Sequence, residues 1–291
     1  MRLYKYQGAG NDFLIADNRD GHISERDGVL DVCNPDGSVS RRAISDLCDR
    51  KYGIGADGLM LLDSSDEYSF GMRYFNSDGS GGMMCGNGGR CIAAFAADMG
   101  LNSFVFTAPD GKHVAEVGES ERGLRIVRLQ MIDADMPVFH EHLENVSVPS
   151  DGWFVNTGTN HFVRIVDDVD SYDIVREGRE IRYSKEFAPV GTNVNFIELT
   201  GTGIKVRTYE KGVEDETNAC GTGVVASALS AFVSGRGVYS ENDGRITFDV
   251  RTRKDRLSVD FRLSGSDSGA FESVWLTGPA CFVAEILLPD M

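Results

Sequence analysis

Alternating apolar and polar positions run through most of the chain, and two segments break the alternation. Short alternating runs at residues 2–7, 13–17, 58–62, 68–76, 103–107, 113–117 and 124–130 predict strands in the first half. A second series at 153–156, 161–166, 193–199, 203–209, 245–250, 257–263, 271–277 and 281–288 predicts strands in the second, and its last member can return to the first half. Helical spacing predicts a helix over 40–50, capped by Ser40 with Ile44, Leu47 and Cys48 on one face. Another is predicted over 171–183, with Ile174, Val175, Gly178 and Ile181 on one face. Residues 18–40 are polar and turn-rich around Asn34-Pro35-Asp36-Gly37, the pattern of an inserted surface loop or hairpin.

The two exceptions are residues 86–99, where Asn87, Arg90 and Asp98 are the strongly polar positions, and 221–234, which carries no charge. A helix apolar on every side must be buried on every side, and both segments are too short to span a bilayer. The economical arrangement is an α+β fold of two similar domains, each a β-sheet or barrel wrapped around one apolar helix. The expected division is 1–130 with a C-terminal strand from 277–291, and 131–276.

Composition narrows the class. The 291 residues carry 45 acidic against 29 basic side chains, a formal charge of −16. Such a surface repels phosphate, so neither nucleic acid nor an anionic membrane is an expected partner. A small anionic substrate stays compatible if its site is locally positive. The N-terminal Met1-Arg2-Leu3-Tyr4-Lys5-Tyr6 has no signal-type apolar core, and a cytoplasmic location is expected. Six cysteines without CxxC or paired zinc-ligand spacing predict neither a disulfide framework nor a metal site.

Two of those cysteines stand out. Asn76-Ser77-Asp78-Gly79 leads to Cys85-Gly86-Asn87-Gly88 and the first apolar helix. Glu214-Asp215-Glu216-Thr217-Asn218-Ala219 leads to Cys220-Gly221-Thr222-Gly223 and the second. The cysteines lie 135 residues apart (220 − 85), close to half the chain. A lone cysteine at a helix start is usually a small buried hydrophobe, but a matched pair in a repeated motif asks for another reason. At a helix N-terminus the unpaired N–H groups and the helix dipole favour a thiolate. The neighbouring glycines let a carboxylate approach those N–H groups. Two thiols on opposite faces of one carboxylate-bearing carbon can move its α-proton, one as thiolate base and the other as thiol acid, with the carbanion held by helix N–H groups. That is cofactor-independent racemisation or epimerisation. Cys91, inside the apolar pattern, is expected in the core.

Other features are weaker. Gly53-Ile54-Gly55-Ala56-Asp57-Gly58 matches G-x-G-x-x-G, but a strand follows where a dinucleotide site needs a helix. His140-Glu141-His142 has the look of a solvated loop. A lone His161 at a strand start is usually structural, and Glu210, ten residues before Cys220, resembles an exposed charge.

Taken together, Gly8-Ala9-Gly10-Asn11-Asp12-Phe13, the stretch Cys48-Asp49-Arg50-Lys51-Tyr52-Gly53-Ile54-Gly55-Ala56-Asp57-Gly58, both cysteine motifs and Thr277-Gly278-Pro279-Ala280 resemble the diaminopimelate epimerase family from end to end. The resemblance implies two similar domains, an active site in the cleft between them, closure over substrate, and inversion of one centre of LL-diaminopimelate to the meso form for lysine and cell-wall synthesis. It implies Cys85 and Cys220 as the acid/base pair, with His161 and Glu210 beside them. Gly86, Asn87, Gly221 and Thr222 would hold the reacting carboxylate through backbone N–H groups, and Asn11, Asn76 and Asn193 would bind other polar groups of the substrate. No cofactor is implied, and a family-like homodimer is an expectation that no apolar stripe in the sequence demonstrates.

The chain departs from the family pattern at the distal end of the substrate. Lys211 stands where an arginine is usual, keeping the charge without the bidentate fork. Thr159-Asn160-His161 replaces Asn-Pro-His, which touches a substrate-binding amide. These departures keep open a racemase of the same chemistry for another amino acid, of histidine or proline type. A thiol redox protein is a different class of reading, in which Cys85 and Cys220 would cycle through a disulfide with a partner reductase.

Overall fold

Each strand series closes on itself around one helix. The computed structural model describes residues 1–82, 85–265 and 270–289, and the chain divides into unit 1 (Met1–Leu129 with Gly278–Met291) and unit 2 (Gln130–Thr277).

In unit 1 the elements are β1 (Arg2–Gly8), β2 (Asn11–Asn18), β3 (Ile23–Arg26), β4 (Val29–Cys33), β5 (Val39–Ala43), α1 (Ile44–Cys48), β6 (Gly58–Asp63), β7 (Phe70–Asn76), α2 (Gly86–Asp98), β8 (Val105–Ala108), β9 (Gly111–Val117) and β10 (Leu124–Gln130). Unit 2 continues with β11 (Val138–His140), β12 (Gly152–Asn156), β13 (Asn160–Ile165), α3 (Ile174–Arg182), β14 (Asn193–Thr200), β15 (Gly203–Glu210), β16 (Asp215–Thr217), α4 (Gly221–Val233), β17 (Ser240–Asn242), β18 (Arg245–Arg251) and β19 (Arg256–Leu263). The final strand, β20 (Phe271–Leu287), belongs to both units.

The pairing order repeats. Starting from β20, unit 1 runs β1, β2, β6, β7, β8, β9, β10 and back to β20, with β2–β6 and β7–β8 parallel and the other steps from β20 to β10 antiparallel. Starting from β11, unit 2 runs β12, β13, β14, β15, β18, β19, β20, with only β13–β14 and β15–β18 parallel. The segment leading into β11 then closes this ring on β20 through Met131 N to Val274 O and Ala134 N to Phe271 O. Parallel neighbours need a crossover. In each unit the second parallel step holds the apolar helix, α2 or α4. The first step of unit 1 carries β3–β5 and α1, and that of unit 2 carries α3.

The apolar helices are buried along almost their whole length: Gly86 to Ala96 in α2, and all of 221–231 except Thr222 in α4. α2 packs on β1, β2, β6 and β9, and α4 on β12, β13, β14, β15, β18 and β19. Phe95 of α2 lies edge-on to Tyr6, with ring centroids 5.7 Å apart. In unit 2 Phe232, Phe261 and Phe271 pack edge to face, each burial stabilising by roughly 1.5–3 kcal/mol. Asp98 ends α2 with a charge that the helix dipole disfavours. Tyr6 donates to it at 2.5 Å and Arg125 at 2.8 Å, which offsets that cost.

The structure decides between some expectations and corrects others. Of the two forms expected for residues 18–40, the hairpin is the one present: β3, β4 and β5 form their own three-stranded antiparallel sheet. Ser40 caps no helix, because pairing of Val29 with Ala43 keeps the backbone extended past it, and its hydroxyl accepts from Asn34 Nδ2 at 2.9 Å. The short α1 begins only at Ile44. In α3, Ile174, Gly178 and Ile181 are buried but Val175 is exposed. The strands predicted at 271–277 and 281–288 are one. Gly278 and Pro279 fall where β20 leaves β19 at Thr277 and takes up β1 from Cys281, so no ladder N–H is needed there. His140 also leaves the loop it was assigned to, lying in β11 among Phe154, Phe162 and Phe187. Among the described residues no helix is long and apolar enough to cross a membrane.

Gly178 shows how tightly α3 sits on its sheet. A Cβ there would lie 2.4 Å from Tyr209 Cβ. Alanine favours a helix over glycine by about 1 kcal/mol, but overpacking a core costs about 1–3 kcal/mol. Gly178→Ala should therefore lower the denaturant midpoint of unfolding, and an unchanged or raised midpoint would show that the sheet yields instead.

Candidate active site

Cys85 is the N-cap of α2, in extended backbone at φ −117° and ψ 153°. Its Sγ accepts the N–H of Gly88 at 3.3 Å, and a Cβ on Gly88 would crowd the same sulfur at 3.3 Å. The N–H groups of the first helical turn, including those of Gly86 and Asn87, have no intrahelical acceptor. Cys85 is exposed, whereas Gly86 and Asn87 are buried.

A polar chain fixes this helix start. Arg50 donates to Asp57 at 2.6 Å and Asp57 accepts from Asn11 Nδ2 at 3.0 Å. Asn11 Oδ1 in turn accepts from Asn87 Nδ2 at 2.6 Å, and Asn87 Oδ1 accepts from Arg90 Nη2 at 2.8 Å. The charge at each end decides both amide orientations, since a carboxylate only accepts and a guanidinium only donates. Arg50 also holds Asp12 at 2.6 Å, beside Lys5 at 2.9 Å. Burial works against ionisation of Asp12, but the bonds from Arg50 and Lys5 outweigh it and keep the carboxyl below its usual range. Arg90 is fully buried and donates to Gly86 O at 3.2 Å.

Asn76 ends β7 and enters a tight turn. Its Nδ2 donates to Ser80 Oγ at 3.0 Å, and its O accepts from Gly79 N at 2.9 Å. Gly79 takes φ +88°, and a Cβ on it would lie 3.1 Å from Gly28 Cα at the tip of the β3–β4 hairpin. The hairpin therefore backs the turn that carries Asn76.

In unit 2, Cys220 is the N-cap of α4 and is partly exposed. Its Sγ lies 3.4 Å from Thr222 Oγ1, and that hydroxyl lies 2.9 Å from His161 Nε2. His161 is fully buried on β13, with Nδ1 3.0 Å from Asn195 Nδ2 on the adjacent β14. Asn195 Oδ1 accepts from Thr208 on β15 at 2.9 Å. Burial, and then the charge of Lys211, push the His161 imidazole down to about 3, so it is neutral at pH 7.

Asn193 organises the other polar positions. It accepts from Lys211 N at 2.8 Å and donates to Asn160 O at 3.0 Å and Thr159 Oγ1 at 3.5 Å. Thr159, Asn160 and Lys211 thus converge on one amide. Glu210 is half-buried rather than an exposed charge. Burial raises its carboxyl above the ordinary value, against a smaller opposing pull from the Thr217 hydroxyl.

The candidates therefore form two clusters, one in each unit. Unit 1 brings together Cys85, Gly86, Asn87 and Asn11, with Asn76 at the end of β7. Unit 2 brings Cys220, Gly221, Thr222 and His161 together, and joins Asn193 to Lys211, Thr159 and Asn160. Helix-start N–H groups of this kind can hold a carboxylate, and thiols beside them can exchange protons with the carbon that bears it.

The family model described as "Diaminopimelate epimerase" matches residues 3–135 and 153–282. The chain belongs to the diaminopimelate epimerase family. It is 40% identical to the diaminopimelate epimerase of Flavobacterium psychrophilum over 98% of this chain and 99% of that one. The Aquifex aeolicus diaminopimelate epimerase is 39% identical, over 98% and 96%. Among solved structures, a PhzF-family phenazine biosynthesis protein of Bacillus anthracis superposes with a TM-score of 0.68 at 15% identity, covering 99% of both chains. A probable proline racemase of Agrobacterium radiobacter gives 0.64 at 12%, covering 99% and 92%. At those identities the likeness is one of fold. Membership of the diaminopimelate epimerase family makes the chain an isomerase of the epimerase class.

Sequence reasoning missed Asn195, Thr208 and the hydroxyl of Thr222. One signal was there: in Asn193-Val194-Asn195-Phe196, two asparagines share one face of a strand whose other face is apolar. Both are buried, a place where an amide needs partners.

The state of His161 is directly measurable. Unfolded, its imidazole takes a proton below its ordinary 6.5; folded, it does so only near 3. The unfolded chain binds more protons in that window, so this stability contribution is complete above about 6.5 and is lost as pH falls toward about 3. The imidazole resonances of His161 should stay flat from pH 8 to about 5, and an inflection near 6.5 would contradict this environment.

Proposed function

We propose that this chain converts LL-2,6-diaminopimelate to the meso form by two-base proton transfer at one α-carbon, with the thiols of Cys85 and Cys220 as the two bases and without a cofactor. The observation that carries this reading is the pair of cysteines capping equivalent helices in two barrels of identical pairing order. The thiolate of one removes the α-proton and becomes a thiol, leaving the electron pair on the α-carbon and its carboxylate. The other gives its proton to the opposite face and becomes a thiolate. Proton exchange with solvent, one thiol losing a proton and the other thiolate gaining one, restores both for the next turnover.

Preorganised donors are the largest resource such a site has. The N–H groups of Gly86, Asn87, Gly221 and Thr222 would hold the α-carboxylate, with Asn11, Asn76 and Asn193 on the remaining polar groups. Lys211 would pair with the distal carboxylate beside Thr159 and Asn160. Neutral His161 and the raised carboxyl of Glu210 would act as companions of the thiols. The acidic surface supports a cytoplasmic setting, and a homodimer belongs to the same reading. Exposed Ile126, Phe282 and Val283 on the paired strands β10 and β20 would be covered in it, which sedimentation would test by returning a dimer mass.

Reduced enzyme in D2O should form meso product with deuterium at one α-carbon. Cys85→Ala and Cys220→Ala should each lose on the order of 10²–10⁴-fold in kcat, even in excess reductant. Neither product nor exchange from the wild type would end the proposal, and activity that depends on oxidation would favour the redox reading. Removing the distal charge in Lys211→Met should raise KM by about 10–100-fold, the scale of one charged hydrogen bond. An unchanged KM would place the distal carboxylate elsewhere.

A further inference from the structure

We infer that Asn195 is a positioning residue: it fixes the tautomer of His161 and so leaves the Thr222 hydroxyl proton directed at the sulfur of Cys220. The inference rests on the proposed role of Cys220 as an acid/base group.

Asn195 Nδ2 lies 3.2 Å from Phe162 O, which can only accept, so that amide atom is the nitrogen. The other, Oδ1, accepts from Thr208 Oγ1 at 2.9 Å. With the amide so assigned, the 3.0 Å contact between Asn195 Nδ2 and His161 Nδ1 uses the lone pair of the ring. Nδ1 therefore carries no proton, and the neutral imidazole bears its hydrogen on Nε2. That N–H meets Thr222 Oγ1 at 2.9 Å, so the hydroxyl accepts there. The hydroxyl's own proton is left for another acceptor, and Cys220 Sγ lies 3.4 Å away. A donor aimed at sulfur favours the thiolate.

The β-sheet builds this chain of contacts. Asn195 stands opposite Thr208 in the β14–β15 register, and His161 opposite Asn193 in the β13–β14 register. Thr157 Oγ1 donates to Thr222 O at 3.0 Å, tying down the backbone that carries the hydroxyl. Gly223 gives the amide its room: a Cβ there would sit 2.4 Å from Asn195 Oδ1 and 3.3 Å from His161 Cε1. The burial that keeps His161 neutral agrees with a ring that accepts on one side and donates on the other.

Three readouts test the inference. In ¹⁵N-histidine-labelled wild-type protein, the His161 proton should reside on Nε2 with Nδ1 bare; a proton on Nδ1 overturns the inference, whatever the activity. Asn195→Asp offers only acceptors, so it should place a proton on Nδ1 and lower kcat on the order of 10²-fold, with KM nearly unchanged. A variant that folds, keeps the wild-type tautomer and keeps its kcat overturns it. Thr222→Val keeps the shape without the hydroxyl and should slow iodoacetamide alkylation of Cys220, followed on its own peptide by mass spectrometry. Thr222→Ser should restore the rate, and equal rates in all three proteins overturn the inference. If the wild type fails to turn over diaminopimelate, the proposed function falls, and tautomer and alkylation still decide this point separately.

Discussion

Burying an apolar helix on every side is the constraint from which the rest of each unit follows. A single sheet face covers one stripe of a helix, so a segment such as 221–231, with Thr222 alone left partly exposed, needs strands all round it. The closed pairing order supplies them and removes sheet edges at the same time. It also decides where chemistry can sit. Past the first turn each helix packs mainly on apolar side chains, so the N–H groups of that turn and the residue that caps them are where polar work can be done. In α2 the one buried charge, Arg90, obeys the same logic, turning back to Gly86 O and Asn87 Oδ1 rather than outward.

The same topology then carries two different supports. The third residue of each Cys-Gly-x-Gly reaches the start of the third strand in the barrel's pairing order: Asn87 to Asn11 on β2, Thr222 to His161 on β13. In unit 1 the chain of contacts ends in charges, Arg50 and Asp57 on one side and Arg90 on the other, and Cys85 Sγ takes a backbone N–H. In unit 2 every member is neutral, and Cys220 Sγ faces a side-chain hydroxyl. A backbone donor is fixed, whereas a hydroxyl can rotate between donating and accepting. Duplicated folds thus leave the two thiols in unlike surroundings, which suits the proposed reaction, in which one thiol gives a proton while the other takes one.

Much of this was legible in the sequence, and the failures have a common cause. Periodicity exposed the two apolar helices, because a segment of a dozen residues with no polar face has few explanations in a water-exposed chain. It failed at Ser40, whose capping preference is local while the pairing of Val29 with Ala43 is not. It failed at Gly278-Pro279, where two residues that usually break a strand sit at the changeover between partners. The positions implied by family resemblance were the conspicuous polar ones. Asn195 and Thr208 were silent because their meaning lies in register: thirteen residues apart in sequence, they are directly opposed in the sheet. His161 appeared bland for the same reason, since Thr222 is 61 residues away.

The segment between β2 and α1 shows how an insertion can be tied to a site without contributing a side chain to it. β3–β5 form a sheet of their own, which on topology alone would be an independent decoration. Two contacts argue otherwise. Arg73 on β7 donates to Ile23 O at 3.4 Å, and Gly28 meets Gly79 backbone to backbone. Both glycines have positive φ, +76° and +88°, so side chains are disfavoured there by conformation as well as by space. A contact between two backbones cannot be relaxed by a rotamer change. Any displacement of the hairpin tip must therefore move the turn that holds Asn76, and the insertion is part of the support of that turn.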